Sequence, residues 1–332
     1  MTTAAAVSFS VDPWDPSYGQ AVEEAVMAES TAELNLDLER PSAAWSPIDA
    51  DVSAPLPATV LILDGVRRVD ARVWVHGASP QPSAGIAASL AVGVVRCSAS
   101  PGERPPGAPR NASPGGVAAL ADVAVERGLF TAAPQAADLR TRHAVYHARQ
   151  AAGPGPDQLS LALQQRLSDA EVRLAAAVRA GSGDDLLVVD GPLRGRTHLE
   201  RTVGYIKTHH ASYLPDPQAA VVAALRAGQR TPAFTMGTSW RRHSWYLRLP
   251  GAAAVPWSGI VRLECSADLP PAAVTAIADQ TARLLPPLAS APHKDPRAPQ
   301  NLVPIGGLER ELRRRLGDQQ LLYRSLRSAA NR

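Results

Sequence analysis

Two stretches, Thr59-Val-Leu-Ile-Leu-Asp64-Gly65 and Asp185-Leu-Leu-Val-Val-Asp190-Gly191, carry the main information about how this sequence folds. Each is a short apolar run that predicts a buried strand, and each ends in Asp-Gly. A pair of carboxylates carried by such strands can hold a divalent metal ion. A hairpin turn at Asp64-Gly65, and a turn or N-cap role for Asp190, explain the same residues, so the rest of the chain has to decide.

The segments around these strands predict an α/β fold. Alternation at 68–75 and an apolar run at 86–97 predict an antiparallel meander, and leucines at helical spacing predict a helix over 157–179. Residues 117–133 fit either a strand or a helix. We also expect helices at 18–29, 197–212, 217–226, 271–285 and from 308, strands at 232–236, 244–249 and 260–265, and a Pro-rich linker at 286–304.

Charge is segregated along the 332 residues, although the net charge is only +3 and the pI about 9.1. Residues 1–50 carry nine acids against Arg40 alone, a balance of −8, whereas residues 294–332 carry nine bases against four acids, a balance of +5. Residues 221–250 carry five arginines, no acid and several aromatic residues. Such a stretch suits a polyanion such as DNA, and a solvated basic face over buried aromatics explains it equally well.

The sequence argues against a membrane protein and against an ATP-driven enzyme. No stretch approaches the roughly 18 consecutive apolar residues of a membrane span, and residues 1–10 do not look like a signal peptide. We therefore expect a soluble, cytoplasmic protein, in which Cys97 and Cys265 are buried free thiols. Because the chain lacks a Gly-x-x-x-x-Gly-Lys-Ser/Thr loop, a partner would have to supply any motor activity.

Glu171 is the most informative residue of the helix predicted over 157–179. It lies four residues after Leu167, which places its carboxylate on the apolar face of the helix. A buried carboxylate must be neutralised, paired or bound to a metal, so Glu171 needs a partner. An ion pair with Arg166 or another arginine, or a position at the edge that reaches water, would also satisfy it. With Asp64 and Asp190 it forms a strand, helix and strand set of acids that Mg²⁺ or Mn²⁺ would neutralise.

Four short motifs together resemble the NurA nuclease family over about residues 61–318: Leu63-Asp-Gly-Val-Arg67, Glu171, Val188-Val-Asp-Gly-Pro-Leu193 and Gly204-Tyr-Ile-Lys207. The resemblance implies a ribonuclease H-like fold, dependence on Mn²⁺ (or Mg²⁺), a homodimer, and DNA end processing with the hexameric translocase HerA. It also implies that Asp64, Glu171 and Asp190 are catalytic carboxylates that bind the metal, and that Lys207 contacts phosphate.

The sequence departs from that family near its C-terminal end. The family usually has an Ala-His pair that completes the metal site, but the corresponding stretch, Pro299-Gln-Asn-Leu302-Val-Pro-Ile-Gly-Gly-Leu-Glu309, has no histidine. Either Glu309 replaces it as an oxygen ligand or water fills the position. His209 and His210 follow Lys207 and are further candidates for substrate contact. On charge, Arg67, Arg241 and Arg242 are the expected DNA-binding arginines.

We therefore expect an α/β protein with a ribonuclease H-like mixed sheet flanked by helices and an acidic N-terminal appendage. Its parts would be an acidic segment at 1–56, a NurA-type nuclease domain at 57–318 and a basic tail at 319–332. The expected activity is that of a metal-dependent exonuclease with single-strand endonuclease activity, acting in DNA end resection during double-strand break repair. The alternatives are a catalytically weak or inactive DNA-binding adaptor of a translocase complex, and an enzyme for a small phosphate ester.

Overall fold

The computed structural model describes residues 28–29, 32–76, 81–98, 118–134, 136–180, 183–209, 211–251 and 257–330. The strands are β1 (Ala28–Glu29), β2 (Glu33–Asn35), β3 (Thr59–Val75), β4 (Ser83–Ser98), β5 (Ala118–Thr131), β6 (Leu139–Arg140), β7 (Val145–Gln150), β8 (Asp185–Asp190), β9 (Thr202–Ile206), β10 (Ala211–Ser212), β11 (Phe234–Gly237), β12 (Arg241–Arg248) and β13 (Ile260–Ser266). The α-helices are α1 (Pro156–Arg179), α2 (Asp216–Ala224), α3 (Pro271–Leu284), α4 (Val303–Arg315) and α5 (Gln319–Ala330). The protein is thus mixed α/β, as the sequence predicts.

The chain divides into two compact units. Unit 1 comprises Met1–Val60, Cys97–Val117 and Asp184–Gly306, and unit 2 comprises Leu61–Arg96, Ala118–Gly183 and Gly307–Arg332. The predicted boundaries at 56 and 318 do not coincide with this division, because each unit takes segments from several parts of the chain.

Unit 1 carries a mixed sheet with the strand order β2-β11-β12-β13-β9-β8. β8 and β9 are parallel, with Asp190 opposite Tyr205, whereas the other neighbouring pairs are antiparallel. α3 packs against β12, and the indole Nε1 of Trp245 donates to Thr281 Oγ1 at 3.2 Å. The strands predicted at 232–236, 244–249 and 260–265 and the helices at 217–226 and 271–285 are confirmed within a few residues.

Unit 2 contains the neighbouring strands β3, β4 and β5 in chain order, followed by β7 and β6. β5 and β7 run parallel and β6 and β7 antiparallel, so this sheet is also mixed. Arg67 contacts Ser160 of α1, whereas Arg68 donates to Gly317 just after α4. Because neighbouring residues of a strand face opposite sides, α1 and α4 lie on opposite faces of β3. The helix predicted over 157–179 is α1, and the ambiguous segment at 117–133 is the strand β5.

The helix predicted at 197–212 is wrong. That segment contains turns followed by the strands β9 and β10. Val203 and Tyr205 of β9 are fully buried, and the strand has a hydrogen-bonded neighbour on each side, β8 and β13. Pairing on both edges outweighs the local preference of a five-residue segment. Lys207 therefore follows a strand and does not lie on a helix.

The segments expected to be peripheral are packed into the two units. Gln300 and Asn301, within the expected linker at 286–304, are fully buried, and α4 begins at Val303 instead of 308. In the expected acidic appendage, β2 pairs with β11 and Glu39 binds the buried Arg230. Most of the expected tail forms α5, whose Leu322 and Leu326 are buried. The helix predicted at 18–29 falls almost entirely outside the described residues, and its last two form β1.

Cys97 and Cys265 are buried free thiols, as predicted, and burial raises the pKa of each thiol to about 12. Both therefore remain protonated near neutral pH and pack as small apolar residues. Across the described ranges, no helix is both long enough and apolar enough to cross a membrane.

Candidate functional site

Glu171 lies on the buried face of α1, as its spacing from Leu167 predicts. It is only 5% exposed, and its carboxylate lies against the backbone of Gly65 in β3. An ideal Cβ placed on Gly65 would be 2.7 Å from Glu171 Oε1 and 2.9 Å from Leu167 Cδ1. The absence of a side chain at Gly65 is therefore what allows the carboxylate to approach the strand.

Asp64 lies within the seventeen-residue strand β3 and not at a hairpin turn. The two segments predicted as separate strands on either side of it are one continuous strand, so the turn interpretation of Asp64-Gly65 is wrong. The Gly65 N–H donates to Asp64 Oδ1 at 2.7 Å. Asp64 and Glu171 thus both contact Gly65, Asp64 at its amide and Glu171 beside its Cα.

The arginine expected as an ordinary partner of Glu171 binds another acid. Arg166 Nε donates to Glu126 Oε2 at 2.7 Å, and Arg173 Nη2 donates to Glu126 Oε1 at 2.8 Å. Glu126 therefore carries charge partners from two positions of α1. Because Glu171 is buried, the alternative of an edge position that reaches water is excluded, whereas an ion pair with another arginine is not.

Asp190, in unit 1, ends β8 and forms an ion pair with Lys207. Lys207 Nζ donates to Asp190 Oδ2 at 2.7 Å and to Asn301 Oδ1 at 3.0 Å. The side chains of Lys207 and Asp190 are 14% and 15% exposed, so their charges are largely shielded from water. Lys207 is expected to contact phosphate, but its ammonium group already donates two hydrogen bonds within the protein.

Buried hydrogen bonds hold Asn301 and Tyr205, the two residues next to the Lys207–Asp190 ion pair. Asn301 Nδ2 donates to Asp295 Oδ2 at 2.6 Å, which orients the Asn301 oxygen toward Lys207. Tyr205, opposite Asp190, donates its hydroxyl to the Gln300 carbonyl. Burial and the nearby Asp190 charge raise the pKa of Tyr205 well above its usual value, so it stays a neutral donor.

Sequence reasoning missed Asn301 and Asp295. Both belong to the stretch that its prolines predict to be a linker, and the sequence pattern gives Asn301 no role there. The nearest relevant signal is the apolar Leu302, fully buried beside Asn301. Nothing in the local pattern identifies Lys207 as the partner, because Asn301 lies 94 residues away from it along the chain.

Glu309, the expected replacement ligand, lies in α4 of unit 2. Its Oε1 accepts a hydrogen bond from Arg313 Nη2 at 2.8 Å, an ordinary i,i+4 pair. The interaction does not prevent metal binding, but it gives Glu309 a structural explanation of its own.

The expected DNA-binding arginines differ in accessibility. Arg67 and Arg241 are exposed, whereas Arg242 is only 4% exposed. The Arg242 guanidinium stacks 4.5 Å from the Trp240 ring centroid and pairs with Glu264, so its burial disfavours direct contact with DNA. His209 is also buried, with Nε2 at 3.1 Å from the Ile260 carbonyl, and His210 lies outside the described residues.

The donor chemistry of the expected ligands fits a hard divalent cation, since Asp64, Glu171, Asp190 and Glu309 all offer carboxylate oxygens. Two of them already form ion pairs within the protein: Asp190 pairs with Lys207, and Glu309 pairs with Arg313. Within the ranges that the structure describes, no group of three or more His, Cys, Asp and Glu side chains is placed to hold a metal ion. The metal-binding role of these residues stays a prediction.

Replacing Gly65 with alanine should displace Glu171. The new Cβ would overlap the Glu171 carboxylate and Leu167, and overpacking of this kind costs about 1–3 kcal/mol. Gly307→Ala is the matched control in unit 2, because no heavy atom lies within 4 Å of its ideal Cβ and alanine favours the helix α4. Urea unfolding should therefore show Gly65→Ala destabilised and Gly307→Ala unchanged or stabilised. Equal stabilities would contradict the described contact.

A comparison with known proteins finds no family model and no curated protein that matches this chain.

Proposed function

We propose that the protein is a metal-dependent deoxyribonuclease, an exonuclease with single-strand endonuclease activity, whose cleavage depends on Asp64, Glu171 and Asp190. It would act in DNA end resection during double-strand break repair, as a homodimer working with a HerA-type hexameric translocase. The observation that carries the proposal is the buried Glu171 carboxylate, which lies against Gly65, the residue that follows Asp64 in β3. Carboxylate oxygens are the donors that Mg²⁺ and Mn²⁺ prefer, and a carboxylate brought against the backbone of β3 at this position favours a functional role.

The residues would divide the work according to their surroundings. Asp64 and Glu171 would hold a cation, for which carboxylate oxygens are the preferred donors. When bound, Mn²⁺ or Mg²⁺ would lower the pKa of a coordinated water and stabilise the negative charge on the leaving oxygen. Gly65 leaves the space that Glu171 occupies, and Lys207 keeps the Asp190 carboxylate in place through a 2.7 Å ion pair. The exposed Arg67 and Arg241 would attract the phosphate backbone.

Carboxylate substitutions test the proposal on linear DNA with Mn²⁺. Asp64→Ala, Asp190→Ala and Glu171→Gln should each reduce the cleavage rate by at least about 100-fold, the scale of losing one charge-stabilising group from an active site. Asp169→Asn is the matched control, because Asp169 is exposed on the same helix two residues from Glu171. Wild-type activity in any of the three variants would exclude a catalytic role for that residue.

One observation favours the adaptor as a second candidate. The Asp190 charge is already neutralised by Lys207, which is itself fixed by Asn301, so unit 1 satisfies this acid without a metal. An inactive subunit needs only that arrangement and a basic surface. The candidate predicts that the wild-type protein binds DNA in a salt-dependent manner and never cuts it, with or without a HerA-type translocase. Cleavage by the wild-type protein and not by Asp64→Ala would exclude it.

A further inference from the structure

Unit 2 contains a groove of about 570 Å³ between β3, β4 and the first turns of α1. This volume is in the range of small-ligand sites, which typically measure about 300–1,000 Å³. The walls are largely apolar, and two arginines, Arg67 and Arg72, and one tryptophan, Trp74, line the β3 side. The apolar lining includes Val69, Ile86, Pro154, Pro156, Leu159 and Leu163.

The exposed positions of β3 shift by one residue between Val69 and Arg72, and Arg67, Arg72 and Trp74 all line the groove. Arg67 and Val69 are exposed, as alternation predicts, but the next exposed residues are Arg72 and Trp74. Between them Asp70 is buried and accepts hydrogen bonds from the hydroxyls of Ser89 and Tyr146.

The side chains of β3 that line the groove are available to a ligand. Trp74 is 67% exposed, which is unusual for so large an apolar ring. Among the described residues, the side chain of Arg67 makes one hydrogen bond, a long one, with Nη1 at 3.4 Å from Ser160 Oγ. Arg72 has no side-chain hydrogen bond or ion pair within the described ranges. The groove therefore presents two positive charges, an exposed aromatic ring and apolar walls.

We propose that this groove binds single-stranded DNA, with a base stacked on Trp74 and neighbouring phosphates paired with Arg67 and Arg72. The combination of positive charge with an aromatic platform is how proteins hold single strands without reading sequence. A duplex keeps its bases stacked on one another and offers none to the ring. A second copy of this chain is a poorer occupant, because it would bury two guanidinium charges against apolar walls. The assignment rests on the proposed function only for the choice of DNA as the polymer.

Asp157 supplies an internal check on the charge argument. It is exposed, lies in the first turn of α1 and lines the same groove, so its carboxylate should repel the phosphates. Asp157→Asn should therefore tighten DNA binding, whereas Arg67→Gln and Arg72→Gln should weaken it.

The test measures binding of a fluorescent twelve-residue oligo-dT to the full chain by anisotropy, with EDTA present so that cleavage plays no part. Trp74→Ala should weaken binding roughly 5- to 150-fold, the range expected for losing one stacked base. Trp74→Phe should restore part of it. The Arg67→Gln/Arg72→Gln double variant should lower the dependence of log K on log salt by about 0.7 for each phosphate that an arginine no longer neutralises. Each of these changes should weaken binding to a blunt hairpin duplex less than it weakens binding to oligo-dT.

Matched controls come from the same unit. Tyr323→Ala removes an exposed aromatic ring from α5, and Arg96→Gln removes an exposed arginine from β4, both outside the groove. Neither should change oligo-dT binding more than twofold on the scale of surface substitutions of about 0.5 kcal/mol or less. The proposal would be overturned if Trp74→Ala bound oligo-dT with wild-type affinity. It would also be overturned if the main effect of Trp74→Ala were the loss of a dimer, measured by sedimentation.

The same measurements separate this proposal from the nuclease proposal. If the groove is assigned wrongly but the nuclease proposal holds, Trp74→Ala keeps normal oligo-dT binding while Asp64→Ala loses cleavage. If the nuclease proposal fails and the groove assignment holds, Trp74→Ala loses oligo-dT binding although the wild-type protein never cuts DNA.

Discussion

Replacing Arg230 with methionine is expected to lower the free energy of unfolding by about 3–5 kcal/mol, the cost of removing one partner from a buried charge cluster. The Arg230 side chain is 1% exposed and pairs with two acids. Its Nη1 and Nη2 each donate to a Glu39 oxygen at 2.8 Å, and its Nε donates to Asp279 Oδ1 at 2.8 Å. The Glu39 and Asp279 side chains are only 10% and 11% exposed, so removing the guanidinium takes the counter-charge from two largely buried acids.

The cluster also fixes distant parts of unit 1 to each other. Glu39 lies 191 residues before Arg230, and Asp279 lies 49 residues after it in α3. The backbone of Arg230 exchanges hydrogen bonds with Ile48 at 2.8 and 3.0 Å, so the segment around Glu39 is fixed at a second point. We therefore expect Arg230→Met to loosen residues 32–48 as well as to lower global stability.

Urea unfolding followed by circular dichroism measures the effect. Arg226→Met is the matched control, because Arg226 is exposed four residues earlier, and its change should stay within about 0.5 kcal/mol. A triple variant, Arg230→Met with Glu39→Leu and Asp279→Leu, should recover most of the loss, because apolar side chains can replace a complete buried charge cluster. A loss below about 1 kcal/mol in Arg230→Met would contradict the described cluster.

Replacing Glu264 with glutamine should have a similar effect, about 3–5 kcal/mol, because it leaves two buried arginines without their acid. Glu264 is fully buried, with Oε2 at 3.1 Å from Arg242 Nε and 3.4 Å from Arg262 Nη1. The Arg242 contact is not aligned as a hydrogen bond, so the attraction is mainly one of charge. Burial lowers the pKa of Arg242, and the Glu264 charge is the main influence that opposes this.

The second oxygen of Glu264 links the cluster to the candidate site. Its Oε1 accepts a hydrogen bond from the Leu193 N–H at 2.7 Å, in the turn that follows Asp190. Gly191 begins this turn at a φ of +104°, a value that glycine adopts without strain, and its N–H donates to the Tyr205 carbonyl at 2.9 Å. Glu264 therefore holds the chain that leaves the Asp190 position.

Two substitutions separate the charge from the hydrogen bond. Glu264→Gln keeps an oxygen that accepts from Leu193, whereas Glu264→Leu removes it and should cost about 1–3 kcal/mol more. Glu33→Gln, exposed on β2 of the same unit, should change the stability by no more than about 0.5 kcal/mol. Equal stabilities of Glu264→Gln and the wild-type protein would show that the two arginines do not depend on this acid.

The sequence alone determined the features that depend on local pattern. The leucine spacing located α1 and placed Glu171 on its buried face, and the apolar runs located β3 and β8 together with their aspartates. These predictions succeed because the spacing of apolar residues along a short segment already determines which of its faces is buried. The resemblance to the NurA family and the activity that it implies stay predictions, to be decided by the cleavage and binding experiments.

Only the tertiary structure decided which charges are partners and which segments are buried. The 197–212 segment became β9 and β10 because β8 and β13 offered both edges for pairing, and Asn301 became a partner of Lys207 from within an expected linker. Arg230 found its acids 191 and 49 residues away. Such contacts depend on distances in space between residues far apart in the chain, so no local pattern of residue types specifies them.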